Sequence, residues 1–165
     1  MNLPLPIHLS IHILFSLCAG LIVWKIWKKP ILAFVFALLG GFFVDLDHFI
    51  DYYLAFGFKW SWFYFKNDFQ ILKSGKIYFL FHAWEFVLIL TLLTFLFKNK
   101  CIKTVFFSLA LSLFFHLWTD VAIDQVSPRA YFLTYRIIND FNNKAISSPK
   151  NYEKYLYYRM RAGFE

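Results

Sequence analysis

The sequence predicts an all-α polytopic membrane protein: a four-helix transmembrane bundle with an interfacial aromatic loop and a basic C-terminal tail. Three observations predict it. Of 165 residues, 60% are hydrophobic and 24% aromatic, and only 16% are charged, against about 25% charged in a soluble domain. That much apolar side chain exceeds what a small globule can hide in its own core, and a bilayer resolves the excess. Four apolar segments each come near the ~20 residues that cross a hydrocarbon core. Lysines gather in the two short connections between them.

The first segment runs from Ile7 to Trp24. No Lys or Arg precedes it, unlike the charged start of a secretory signal. Lys25, Lys28 and Lys29 fill the turn to the second segment, Pro30–Val44. A proline suits a helix start, where its missing N–H costs nothing. Gly40 and Gly41 are read as a place of close helix packing rather than a phosphate cradle. The connection Asp45–Lys76 holds nine aromatic rings between Tyr52 and Phe65, and rings with polar tips favour the headgroup layer. The third segment, Ile77–Phe97, and the fourth, Thr104–Ile123, contain no Gly or Pro and are joined through Lys98, Lys100 and Lys103. Cys18 lies in an apolar segment and Cys101 in a Lys-rich loop, so no disulfide is expected.

Residues 1–125 are therefore read as a four-span transmembrane domain, and 126–165 as the basic interfacial tail. Much of the net charge of +7 lies in that tail. Beside a bilayer it suits anionic headgroups better than nucleic acid. An interfacial helix is expected around Tyr131–Phe141. The lysines that follow the first segment place that loop in the cytoplasm by the positive-inside rule. In an inner (cytoplasmic) membrane the opposite end then faces outward.

Every histidine lies within the apolar segments or at their ends. His8 and His12 sit in the first, Asp45, Asp47 and His48 at the end of the second, His82 and Glu85 at the opening of the third, and His116 and Asp120 late in the fourth. Measured along helices from the lysine end, these groups reach nearly one depth, about 20–26 Å at 1.5 Å per residue. A carboxylate at that depth costs several kcal/mol, on the order of 3, unless something compensates it. A bound cation compensates several at once. His8/His12 and His116/Asp120 are i, i+4 pairs and His82/Glu85 an i, i+3 pair, so each projects from one helix face. Mixed imidazole and carboxylate donors suit Zn²⁺, with Mn²⁺ or Fe²⁺ as alternatives. These nine candidate ligands exceed one tetrahedral ion, so two or more metals, or one metal with a surrounding shell of polar partners, would use them. Plainer readings stand beside this one. His8 can face headgroups, Glu85 can pair with a Lys or Arg, and Asp51 and Asp124 read as solvated or as outer partners. Arg129 and Arg136 read as headgroup contacts more readily than as phosphate ligands.

The run Gly40-Gly41-Phe42-Phe43-Val44-Asp45-Leu46-Asp47-His48 resembles the Pro-Asp-Ile-Asp-His signature of the membrane-bound metal-dependent hydrolases of the YdjM type. His12 or His8, then His82, then His116-Leu117-Trp118-Thr119-Asp120 are similar to that family's further motifs, in the same order over residues 8–120. Val44 stands where the family has proline. His82-Ala83-Trp84-Glu85 lacks the arginine and second histidine of the corresponding motif, and Glu85 is a candidate replacement. The family is more distantly similar to the all-helical zinc-dependent phospholipase C and P1 nuclease group, which implies phosphoester cleavage.

Metal-assisted hydrolysis is thus the expected chemistry, since a metal lowers the pKa of bound water to about 7. Asp47 and Glu85 are the candidate general bases. Membrane lipids are the expected partners, with a lipid or lipid-linked phosphate as substrate. The alternatives are a non-enzymatic metal- or haem-binding membrane protein and an ion carrier. The sequence holds no P-loop and no Ser-His-Asp signature.

Overall fold

A computed structural model describes residues 4–124 and 127–164. In chain order its helices are α1 (Leu5–Trp27), α2 (Pro30–Gly41), α3 (His48–Phe56), α4 (Trp62–Lys66), α5 (Phe69–Ser74), α6 (Trp84–Leu96), α7 (Lys100–Asp124), α8 (Leu133–Ile138), α9 (Asn143–Ile146) and α10 (Pro149–Arg161). Short 3-10 turns occupy Phe43–Asp47 and Pro128–Tyr131. The chain forms two compact units. One is Met1–Asp45 with Phe81–Gln125; the other is Leu46–Leu80 with Val126–Glu165. A boundary after residue 125 was expected; the long aromatic connection, however, groups with the tail.

The first unit consists of α1, α2, α6 and α7. Helix α7 packs on all three others, and α1 packs on α2. The pattern of burial reverses that of a soluble core. Buried positions are mostly small or polar: Ser16, Ala19 and Gly20 on α1, Ala33, Ala37, Gly40 and Gly41 on α2, and Thr104, Ser108, Ala110 and Ser112 on α7, beside the larger Val23, Leu113 and Leu117. Leu14, Ile31, Leu88, Leu92 and Phe95 are exposed. Lipid tails are as apolar as leucine, so large side chains gain nothing by turning inward, and helices associate where small residues let backbones touch. A Cβ at Gly40 would stand 2.6 Å from Ser112 Oγ and 2.7 Å from the Leu109 carbonyl oxygen, and one at Gly41 would strike Ser16 Oγ. Three of the buried hydroxyls keep their hydrogen bonds within their own helix: Ser16 donates to the His12 carbonyl, Thr104 to Lys100 and Ser112 to Ser108.

Among the described residues two helices, α1 with 23 residues and Lys100–Ile123 with 24, are long and apolar enough to cross a membrane. A third candidate exists if Pro30–Gly41 and Phe43–Phe56 together form one span. Helix α6 has 13 residues, which rise about 20 Å. The expected third segment, Ile77–Phe97, is helical only from Trp84. Two or three candidate spans are therefore present where four were expected.

The reason lies in the second unit. Asp51 is buried and accepts hydrogen bonds from the backbone N–H groups of Tyr78, at 3.1 Å, and Phe79, at 3.3 Å. Arg136 is 1% exposed; its guanidinium donates to the carbonyls of the same residues, at 2.5 and 2.7 Å. With both N–H and both C=O groups satisfied by side chains, this stretch loses nothing by not being helical. Phe79 holds φ at 38° there. Asp51 is thus not solvated, and Arg136 does not meet headgroups. Further links tie the connection to the tail. Lys76 pairs with Asp140 at 2.9 Å, and that carboxylate raises the ammonium above the ordinary lysine range. The Ile77 N–H donates to the Phe141 carbonyl, and that of Asn143 to Gly75.

The aromatic connection is also ordered by one buried polar group. The Tyr52 hydroxyl donates to the Lys59 carbonyl at 2.9 Å and accepts from the Ser61 N–H at 2.7 Å. Phe49, Trp60 and Phe65 form a triangle of mutually touching rings, with centroids 4.5–5.6 Å apart. Gly57 ends α3 at φ 63°, ψ −150°, a conformation open essentially to glycine. Beyond it Phe58 is 97% exposed. In the tail, residues expected as one interfacial helix form α8, which has six residues, followed by a turn through Asp140 and Phe141 at positive φ. Helix α10 starts on a Ser148 cap with Pro149 in its first turn.

Candidate metal centre

Six of the expected ligand residues come together in the first unit. Helix α1 presents His8 and His12 one turn apart, and α7 presents His116 and Asp120 at the same spacing. Asp45 stands in the 3-10 turn after α2, and His82 stands two residues ahead of α6. His82 and Glu85 therefore do not share a helix face as the i, i+3 spacing suggested. Ala83 between His82 and the helix is extended.

The imidazole Nε2 atoms converge. Those of His8 and His12 are 2.7 Å apart, and those of His82 and His116 are 2.9 Å apart. Asp120 lies among all four. Its Oδ1 is 3.2 Å from His12 and 3.6 Å from His8, and its Oδ2 is 3.1 Å from His116 and 4.0 Å from His82. Asp45 Oδ1 adds contacts of 3.2 Å to His82 and 3.4 Å to His116. The rings of His12 and His116 stack with centroids 4.0 Å apart. His12, His82, His116 and Asp120 are buried, whereas the side chains of His8 and Asp45 each retain 21% exposure.

One bond sets the chemistry of this convergence. His116 Nδ1 lies 2.8 Å from the Gly41 carbonyl oxygen. A carbonyl only accepts, so Nδ1 carries the proton, and in the neutral ring Nε2 is left with a bare lone pair facing the other donors. A metal-ligating histidine is held by the same arrangement, its second nitrogen donating to a carbonyl or carboxylate. Gly41 is the last residue of α2, and terminal helix carbonyls have no partner within the helix. No reading of side-chain motifs points to Gly41. The signal present in the sequence is its position at a helix end, four residues before Asp45.

Charge completes the case that the group can hold a cation. With the imidazoles in the neutral form that ligation requires, the two carboxylates leave −2 in a poorly solvated place, which one divalent ion neutralises. The donors form overlapping triplets, each with facing atoms within 4.8 Å: His8, His12 and Asp120; His12, Asp45 and His116; His82, His116 and Asp120. Any of these triplets can hold a metal ion.

The remaining expected residues lie as follows. Asp47 and His48 belong to the second unit, where Asp47 is buried and the His48 ring tilts over Phe79 at 4.2 Å. Glu85 is half-buried in the first turn of α6. Among the described residues it joins none of the donor triplets. Arg129 is exposed. The side chain of Asp124 lies outside the described residues. No family model matches the chain, and no curated protein or solved structure matches it either.

Proposed function

We propose that this chain is a membrane-embedded, metal-dependent hydrolase that cleaves a phosphoester of a lipid or lipid-linked substrate. The observation that carries the metal part is the His116 tautomer: a proton fixed on Nδ1 by Gly41 turns the Nε2 lone pair onto two carboxylates and the imidazoles of His82 and His12. Nitrogen and carboxylate donors in this mixture suit zinc. Six donors exceed one tetrahedral ion, and Asp120, with an oxygen on each side, suits a position shared by two. Such an ion supplies activated water and neutralises charge on a phosphoryl oxygen. His8 and Asp45, the partly exposed members, are the side from which substrate would enter. Asp47 and Glu85 are the proposed bases. In this reading α2 and α6 are short partners of α1 and α7, completing four helices whose polar ends meet in one layer.

The resemblance of the Asp45–His48 run to the YdjM-type hydrolases favours hydrolysis over passive binding. Haem is disfavoured by the crowding: imidazole nitrogens 2.7–2.9 Å apart leave no gap for a porphyrin between them. An ion carrier needs a polar route onward from the site, whereas the hydroxyls of Ser16 and Ser112 are engaged by carbonyls of their own helices.

The test is metal analysis of the purified full chain, followed by a screen of phospholipids and lipid phosphates for released phosphate or headgroup. One to two zinc ions per chain and chelator-sensitive hydrolysis are expected. A preparation that takes up no divalent ion overturns the metal reading; a loaded one inert toward every phosphoester overturns the hydrolase reading alone.

A further inference from the structure

Helices α1 and α7 leave a shallow groove of about 350 Å³ on their outer flank, lined by Ile11, Phe15, Phe115, Trp118, Thr119 and Ala122. Phe15 and Trp118 are 40% and 50% exposed, so the groove opens on the side that the two membrane-crossing helices turn to their surroundings. Its position relative to the donor cluster follows from helix geometry. Ile11 and Phe15 each follow a donor, His8 and His12, by three residues; Thr119 likewise follows His116 by three. At about 100° per residue, a step of three places the second residue roughly 60° round the helix from the first. On both helices the groove stripe therefore runs directly beside the ligand stripe.

The lining is chemically one-sided. Its hydroxyl, on Thr119, donates to the Phe115 carbonyl at 2.7 Å. The wall thus presents mainly hydrocarbon and ring, a poor surface for a sugar. The donor cluster beside it carries the opposite character: charged, buried, and suited to a cation that attracts phosphate. His8, on α1 with Ile11 and Phe15, is also the cluster's partly exposed imidazole.

We propose that the α1/α7 groove seats one acyl chain of a glycerophospholipid whose phosphate engages the donor cluster. The inference rests on the proposed metal site and narrows its substrate to a lipid that enters sideways from the bilayer. The bilayer interior is as apolar as the groove, so burial of the chain gives no hydrophobic gain over remaining among other lipids. Selectivity comes from the phosphate; the groove removes the clash that a chain tethered to that phosphate would otherwise make with α1 and α7. A second groove of about 240 Å³, lined by Val87, Thr91, Phe107, Leu111 and Phe114 on α6 and α7, lies nearer the lysine-bearing end and on α7 stops short of His116. It serves as an internal reference for lipid that merely coats the protein.

The experiment uses the zinc-loaded full chain in nanodiscs of phosphatidylcholine doped with phosphatidylglycerol carrying a mid-chain diazirine. After illumination the cross-linked residues are mapped by mass spectrometry. Labelling is expected to concentrate on residues 11–15 and 115–122 over the reference groove, by about tenfold, a ratio worth ~1.4 kcal/mol. Ala122→Phe, which fills the groove from an exposed position, should abolish that enrichment and leave zinc stoichiometry unchanged. Ala122→Ser should retain both. Equal labelling of the two grooves, or enrichment that survives Ala122→Phe, overturns the proposal while the zinc stoichiometry still reports on the metal site. Enrichment that persists in a chain that binds no zinc overturns both the metal reading and the phosphate contact, because the groove would then hold lipid without the donor cluster.

Discussion

Asp120 is the residue on which the cluster depends, because it alone lies within 4.0 Å of all four imidazoles. Asparagine at this position keeps size and shape and removes the charge. With Asp120→Asn, the remaining donors carry one carboxylate, and a divalent ion is no longer neutralised. We expect zinc affinity, measured by competition with a chromophoric chelator, to fall by more than ~100-fold, beyond the 10–100-fold typical of losing an outer partner. Affinity within threefold of the parent would remove Asp120 from the ligand set. Asp47→Ala and Glu85→Gln separate ligand from base. A base variant keeps its zinc and loses hydrolysis by about 10²–10⁴-fold, whereas a ligand variant loses both together. Much of this was legible in the sequence, since the i, i+4 pairs fix which side chains share a face whatever the tertiary structure. The partner of His116 was not legible, because a backbone carbonyl has no residue type to read.

Among the elements, α1 and α7 could be read directly from unbroken apolar runs, and α2 from the proline that starts it. The start of α6 could not. Ile77–Ala83 is as apolar as the helix that follows, and nothing local forbids continuing it. What stops the helix is distant in sequence: Asp51 and Arg136 satisfy the Tyr78 and Phe79 backbone from both sides. Replacing Arg136 by Met keeps most of the apolar stem and strands two buried carbonyls. Each costs about 1–3 kcal/mol, so the melting temperature in detergent should fall by several degrees, and Arg136→Lys should recover part of it. An unchanged melting curve for Arg136→Met would mean that the stretch is held by other contacts. The close crossing of α2 and α7 makes a parallel test. The Cβ of Gly40→Ala would meet the Leu109 backbone, its carbonyl oxygen at 2.7 Å and its Cα at 2.9 Å, which cannot swing aside as a side-chain tip can. The strain should cost about 1–3 kcal/mol. Because Gly41 next to it orients His116, zinc binding should weaken in the same variant. Loss of stability with full zinc affinity would show that the carbonyl tolerates the shift.

Across the whole molecule, charge is sorted by end. In the first unit the six lysines stand in the α1–α2 and α6–α7 connections or in the adjoining turns of α1 and α7, while Glu85 and Asp120 stand toward the opposite ends of their helices and Asp45 in the turn after α2. This sorting bears on orientation. Lys25 in the last turn of the first helix and Lys28 and Lys29 just after it mark the end of the span that usually dominates, and short lysine-bearing connections stay in the cytoplasm. The Lys98–Lys103 connection agrees. Against it stand the basic residues of the connection after α2 and of the tail, which count less the farther they lie from a span end. We therefore expect the donor cluster to face away from the cytoplasm. Lys98 is exposed, so a variant carrying Cys18→Ala, Cys101→Ser and Lys98→Cys presents one thiol in the lysine-rich connection. A membrane-impermeant maleimide added to intact cells should leave it unmodified, and should modify it once the membrane is opened. Modification in intact cells would reverse the assignment. The metal site would then open to the cytoplasm, and its substrate would have to come from the inner leaflet.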